Sequence, residues 1–292
     1  MYIHFGEPTH TPAPPTGIVI PPPPPAPAPA PAPPGAQPFT LPPVRLTRVS
    51  DTRLSPFASI CRIVARTAKG GESYGSGILI GPYHVLTCAH VIFPPQDQLT
   101  TEITVFPGQN GPDSHCRVKS DGWIVSPNYR GADCHTAAED YGVIRLSCPM
   151  NPGFVPLRPF NPTTLAGATA SLAGYPWGRS EKARHMYFSR GLITSGVTIT
   201  SCTGTLANGQ LNANPGPITA TTNLIAHNLD TAPAQSGSPM WIVQAGGRFL
   251  VALHSGRIGN NRFGKAVLLN DAVRRRIADW MTKALPPLPL PM

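Results

Sequence analysis

From residue 44 onward the chain reads as short apolar runs alternating with polar positions, punctuated by Gly, Pro, Asn and Asp. Residues 59–67 (SICRIVART) alternate with the period of two that a half-buried strand requires. Residues 75–80 and 84–87 predict a hairpin reversed at Gly81-Pro82. Further strands are predicted over 102–106, 122–125, 142–146, 170–174, 191–199, 223–226, 239–243, 249–254 and 264–268. Near the C-terminus the pattern changes. Val273, Ile277, Trp280 and Met281 fall at i, i+4, i+7 and i+8, one apolar stripe of a helix, with Asn270 or Asp271 as its cap. Pro286 and Pro287 are expected to stop it. Many short strands with one terminal helix predict an all-β fold, either a sandwich or a pair of barrels.

Composition divides the chain. Residues 1–43 hold 17 of the 38 prolines, no Lys or Arg, and the single acid Glu7; residues 21–34 are only Pro and Ala. With little to bury and few backbone donors, 1–43 is expected to be a disordered, extended arm. It reads as a spacer, as a removable pro-segment, or as a ligand for an SH3-like or WW-like domain. A globular domain is expected over 44–285, with a short Pro/Leu tail at 286–292.

The formal net charge is +9 for the whole chain, to which the arm contributes −1 through Glu7, so the remainder carries +10. Apart from Arg274-Arg275-Arg276 the cations are scattered, which reads as a solvated face and argues against a nucleic-acid partner. No run approaches the roughly 20 apolar residues of a membrane span. The apolar patch at 17–20 is too short for a signal peptide, and no basic region precedes it. The six cysteines (Cys61, Cys88, Cys116, Cys134, Cys148 and Cys202) permit bridges or buried thiols and have no metal-ligand spacing, so no metal or cofactor is expected.

Three segments carry candidate chemistry. YGSGILIGPYHVLTCAHV (74–91) brings a strand into His90; AEDYGVIRL (138–146) sets Asp140 before an apolar strand; APAQSGSPMW (232–241) puts Ser236 in a tight glycine-containing loop. The order His, Asp, Ser, at spacings of 50 and 96 residues, is one of the known chain orders of the serine-nucleophile triad. A serine hydroxyl needs a base, imidazole can take and return its proton, and a carboxylate fixes the ring's tautomer.

These segments, with AGYPWG (173–178), SRGLITSG (189–196) and VALHSGR (251–257), resemble the glutamyl-endopeptidase, V8-protease-like branch of the trypsin-like serine proteases across most of 55–282. The resemblance implies two six-stranded antiparallel β-barrels, divided near 155–168, with the site between them and the C-terminal helix packed on the second. It implies a peptide hydrolase with His90 as base, Asp140 as its orienting acid and Ser236, not Ser238, as nucleophile. Backbone N–H groups of Ala234 and Ser236 would form the oxyanion hole. Ala234 departs from the family's glycine there, in a conformation suited to a residue without Cβ. An acidic P1 preference is implied by Thr231 and His254, aided by the charge of Arg257, while Ser255 matches a serine that hydrogen-bonds the catalytic Asp. His227 is expected to be structural or solvated. The family favours secretion. The alternative from another class is an impaired protease fold that binds partners through its polyproline arm.

Overall fold

The computed structural model describes residues 45–93, 99–112, 116–131, 133–179, 181–201, 212–258 and 263–283. The arm at 1–43, with its SH3 or WW reading, the tail at 286–292 and Cys202 lie outside the described residues. All of the described residues belong to the unit that begins at Pro42.

After β1 (Thr47–Arg48), six strands close the first barrel: β2 (Ile60–Thr67), β3 (Glu72–Gly81), β4 (His84–Thr87), β5 (Thr100–Pro107), β6 (Val118–Val125) and β7 (Gly142–Leu146). Their order is β2-β3-β4-β7-β6-β5, and β5 closes on β2. The remaining strands are β8 (Thr169–Gly174), β9 (Tyr187–Ser201), β10 (Asn212–Gly216), β11 (Leu224–His227), β12 (Pro239–Gln244), β13 (Gly247–Ile258) and β14 (Phe263–Leu268). They run β9-β11-β14-β13-β12-β8, and β8 pairs back to β9, which closes a second six-stranded antiparallel barrel. β1 and β10 add to β9 outside that circuit.

Alternation explains the cores. Cys61, Ile63 and Ala65 of β2 are fully buried, and β5 sets Val105 opposite Ile63 and Ile103 opposite Ala65. The second barrel is filled by Leu172, Ile193, Ile225, Met240, Val251 and Leu268. Each fully buried side chain of this size contributes about 1.5–3 kcal/mol.

Two α-helices complete the described residues. α1 (Ala89–Ile92) is a single turn directly after β4, and α2 (Asp271–Thr282) is the expected terminal helix. Asn270, rather than Asp271, caps α2, its Oδ1 accepting from Val273 N–H at 3.1 Å. Lys283 is its C-cap, ahead of Pro286 and Pro287. The later turns of the helix pack on the first barrel, while its start keeps the expected contact with the second: Asn270 Nδ2 donates to Thr222 O at 2.8 Å, and Arg274 lies 5.3 Å from the centroid of Phe160, which packs on the second core. Trp280 stacks on Tyr141 at 5.7 Å between centroids, and Arg276 donates to Glu139 Oε2 at 3.0 Å. Aromatic overlap and a charge-assisted bond determine that choice. No helix among the described residues is long and apolar enough to cross a membrane.

Candidate active site

His90 lies in α1, not at a strand end as its position after 84–87 suggested. Cys88 is extended and Phe93 N–H closes on Ala89 O at 2.8 Å, so the chain turns once and lifts His90 clear of the barrel. Asp140 is the C-cap of a 3-10 turn (Cys134–Glu139) that Asp133 starts by accepting from His135 N–H at 2.9 Å. Both carboxylate oxygens of Asp140 hold His90. Oδ1 accepts its backbone N–H at 3.0 Å and Oδ2 contacts Nδ1 at 2.7 Å. The ionised acid can only accept, so Nδ1 carries the proton and Nε2 keeps its lone pair.

Asp140 is only 4% exposed. Burial raises its pKa, but the charge of His90, the bonds from His90 and the charge of Lys265 together bring it below the usual carboxylate range. Lys265, on β14, is itself buried, and its ammonium makes no hydrogen bond or ion pair among the described residues. Burial lowers its pKa, opposed by the charges of Asp140 and Cys88.

The Ser236 loop is tied to both barrels. Ser76 N–H donates to Ser236 O at 2.8 Å, Ser76 Oγ donates to Ala234 O at 3.2 Å and accepts from Tyr175 N–H at 2.9 Å, and Trp177 N–H donates to Pro233 O at 2.7 Å. Gly237 has φ +83° and donates to His254 O at 2.8 Å; a Cβ there would meet Ser76 O at 2.1 Å. Only glycine fits. Ser238 is fully buried with its Oγ unpaired, whereas Ser236 is partly exposed, which favours Ser236 as the reactive hydroxyl. Ala234 adopts φ +67°, the left-handed conformation that a glycine would occupy freely. Its N–H and that of Ser236 donate to nothing among the described residues.

Beside the loop, His254 Nδ1 meets His227 Nε2 at 3.1 Å, and both rings are buried. His227 is thus part of this cluster, a role its sequence context did not signal. Its Nδ1 has no partner. An unpaired buried acceptor is more tolerable than an unpaired N–H, so His227 donates from Nε2 and His254 carries its proton on Nε2. Burial, reinforced by Arg257, pushes His227 down to about 3. His254 is held well below its ordinary value by burial and then by His227, Arg257, Lys265 and His90. Both rings are neutral. Arg257 donates to Thr231 O and lies 3.8 Å from Asp230 Oδ1, while Thr231 Oγ1 is buried and unpaired.

Ser255 behaves differently from the resemblance. It is the bulged residue between His254 and Gly256 in the β13–β14 ladder, and its buried Oγ bonds nothing among the described residues. The expected bond to Asp140 is absent. Ser76 was not anticipated either, though the Gly-Ser-Gly that holds it was visible in the sequence.

Cys88, His90 and Asp140 offer ligand atoms within 4.8 Å of one another. They make a poor metal site: Nδ1 is committed to Asp140, and burial raises the Cys88 thiol well above its usual range, so it stays protonated. Cys134 is disulfide-bonded, while Cys61, Cys88, Cys116 and Cys148 are free thiols.

Comparison with known proteins agrees with the barrels. Residues 75–253, more than half of the chain, match the family described as trypsin-like peptidase domain, and the chain belongs to that family. Among solved structures it is similar to a Glu endopeptidase in complex with MPD, at 21% identity and TM-score 0.62 over 82% of this chain and 97% of that one. HL collagenase aligns at 14% identity and TM-score 0.60, over 82% of this chain and 100% of that one. The protease Anisep from Arthrobacter nicotinovorans aligns at 11% identity and TM-score 0.56, over 79% and 96%. These likenesses are of fold. No curated protein sequence matches the chain.

Proposed function

We propose that the chain is a serine endopeptidase acting through an acyl-enzyme, with a preference for an acidic residue at P1. Ser236 is the nucleophile, His90 the base and Asp140 the group that orients it. The observation that carries this reading is the 2.7 Å contact between His90 Nδ1 and Asp140 Oδ2, which leaves Nε2 to take the Ser236 proton. Attack on the peptide carbonyl forms a C–O bond and pushes the carbonyl electrons onto oxygen. The Ala234 and Ser236 N–H groups receive that oxyanion, and loss of one such donor typically costs about 10²–10³ in turnover. His90 returns the proton to the departing amine, and water then cleaves the ester by the same route. The φ of +67° at Ala234 supports a formed hole over the impaired binding-module alternative.

The acidic preference rests on Thr231, His254 and Arg257. The His227–His254 contact aims a neutral N–H from His254, and Arg257 supplies charge nearby.

A fluorophosphonate probe tests the chemistry on the full chain. Labelling that disappears in Ser236→Ala is expected; a folded protein that does not label overturns the reading. A peptide library tests P1. Cleavage after Arg or Phe, unchanged in His254→Ala, would end the acidic proposal.

A further inference from the structure

The cations look scattered along the sequence, but the first barrel gathers six of them around one groove. Arg62 and Arg66 of β2, Arg117 and Lys119 at the start of β6, and Lys182 and Arg184 before β9 line about 310 Å3 of space. Two acids line it too, Glu72 and Glu102, leaving a surplus of four positive charges. Both acids are already engaged. Glu72 takes Arg66 at 3.0 Å and the Tyr74 hydroxyl at 2.6 Å; Glu102 takes Lys119 at 2.6 Å. Arg62, Arg117, Lys182 and Arg184 have no carboxylate partner among the described residues.

Arg62 is the most telling of these. It is 5% exposed, donates from Nε to Lys182 O at 2.9 Å and from Nη1 to Gln109 Oε1 at 3.4 Å, and lies 5.2 Å from the centroid of the Tyr74 ring. Buried charges normally have a counter-ion, because solvation lost to burial must be replaced. Arg62 hydrogen-bonds neutral acceptors only; Glu72 acts on it from beyond ion-pair distance, and the charge of Arg184 opposes its own. The groove is the place from which an anion can reach it.

The groove neighbours the Ser236 loop through the β2–β3 ladder, where Arg62 of its lining pairs with Ser76. Tyr74 stacks on Trp177 at 4.9 Å between centroids, and Trp177 N–H holds Pro233 O. Two residues along β3 from Tyr74, Ser76 holds Ser236 O. At ~3.4 Å per residue along β3, the lining residue Val64, paired with Tyr74, is level with a point about 7 Å from that clamp, and Glu72 lies about 14 Å from it. An extended peptide spans this with about two to four residues.

We infer that this groove binds acidic side chains of the polypeptide substrate, about two to four residues away from the scissile bond. The placement of the scissile bond rests on the serine-peptidase reading; the anion site itself does not.

The test uses two internally quenched peptides that share one cleavable P1 and differ only in Glu against Gln about two to four residues away, with a version for each side of the bond. In the unaltered protein the Glu peptide of one side is expected to show about tenfold higher kcat/KM at low salt, an advantage that shrinks as salt rises. The Glu-to-Gln ratio is expected to collapse in Arg184→Glu and in Arg117→Glu, two accessible positions whose replacement leaves the core intact. Equal rates for Glu and Gln on both sides, or a ratio that survives both variants, overturns the inference. Absence of Ser236-dependent cleavage would instead sink the peptidase reading. The groove is then decided by fluorescence anisotropy of the same peptides on Ser236→Ala. Tighter binding of Glu than Gln, lost in the Arg184→Glu double variant, supports it, and indifference overturns it.

Discussion

Ala234 holds a left-handed φ of +67° without the glycine that makes this conformation cheap. An L-residue there costs about 1–2 kcal/mol, and the hydrogen bond from Ser76 Oγ to Ala234 O, with Trp177 N–H on Pro233 O, keeps the loop from relaxing. Ala234→Gly removes most of that strain at some cost in unfolded-chain entropy. It is expected to raise the melting temperature by roughly 2 °C while activity is kept. A fall in melting temperature would show that the methyl packs favourably. Lys265 offers a second case. Its folded-state pKa is lowered, chiefly by burial, so the unfolded chain holds this proton more firmly than the folded one. The buried charge therefore weakens the fold at neutral pH, and the penalty fades as pH rises toward the ordinary lysine value of about 10.5. Lys265→Met is expected to melt higher than the unaltered protein at pH 7, with the difference narrowing toward pH 10.5. Denaturation curves across that range check the sign.

At the level of elements, β3 does more than close a barrel. Ser76 at its centre joins Ser236, Ala234 and Tyr175, partners from 99 to 160 residues away in sequence. Ser76→Ala leaves the buried Tyr175 N–H without its acceptor, a loss of about 1–3 kcal/mol, and frees the Ala234 carbonyl. The expected result is a lower kcat with smaller change in KM, since the loop holding the hydroxyl and the oxyanion donors loosens. Steady-state kinetics on one peptide separates the two. Such clamps are illegible in a sequence because one serine hydroxyl meets backbone atoms of distant residues, whose identities leave no mark of the contact. The strands were legible, since alternation and Gly or Pro punctuation are local. β1, with two residues, and β10, with the sequence NANPG, carry no apolar pattern and exist only because β9 offers them an edge. The turn α1 was hidden for another reason. Four residues, AHVI, are as compatible with a strand as with a helix, and tertiary context decides.

Across the whole molecule, His90 and Asp140 come from the first barrel and Ser236 from the second, so any activity depends on both barrels staying folded and joined. His227, His254 and Asp140 all couple that integrity to pH. His227 is pushed down to about 3 and His254 is held well below its ordinary value, so both stay neutral when folded while the unfolded chain protonates them below about 6.5. Between these limits the unfolded state binds more protons, and stability falls as pH falls. The lowered pKa of Asp140 acts in the same direction further down, where acid finally removes its charge. Each histidine contributes a slope of up to about 1.4 kcal/mol per pH unit once pH is well below 6.5. Melting temperature is therefore expected to drop steeply between pH 6 and 4, an interval over which Lys265 is charged in both states and adds no slope. His227→Gln, which keeps a donor for His254 Nδ1 but cannot take up a proton, is expected to be less steep over that interval. A melting temperature that stays level down to pH 5 in the unaltered protein would mean that the folded rings accept protons after all. The tautomer that aims the His254 N–H, and the acidic P1 preference resting on it, would then be lost together.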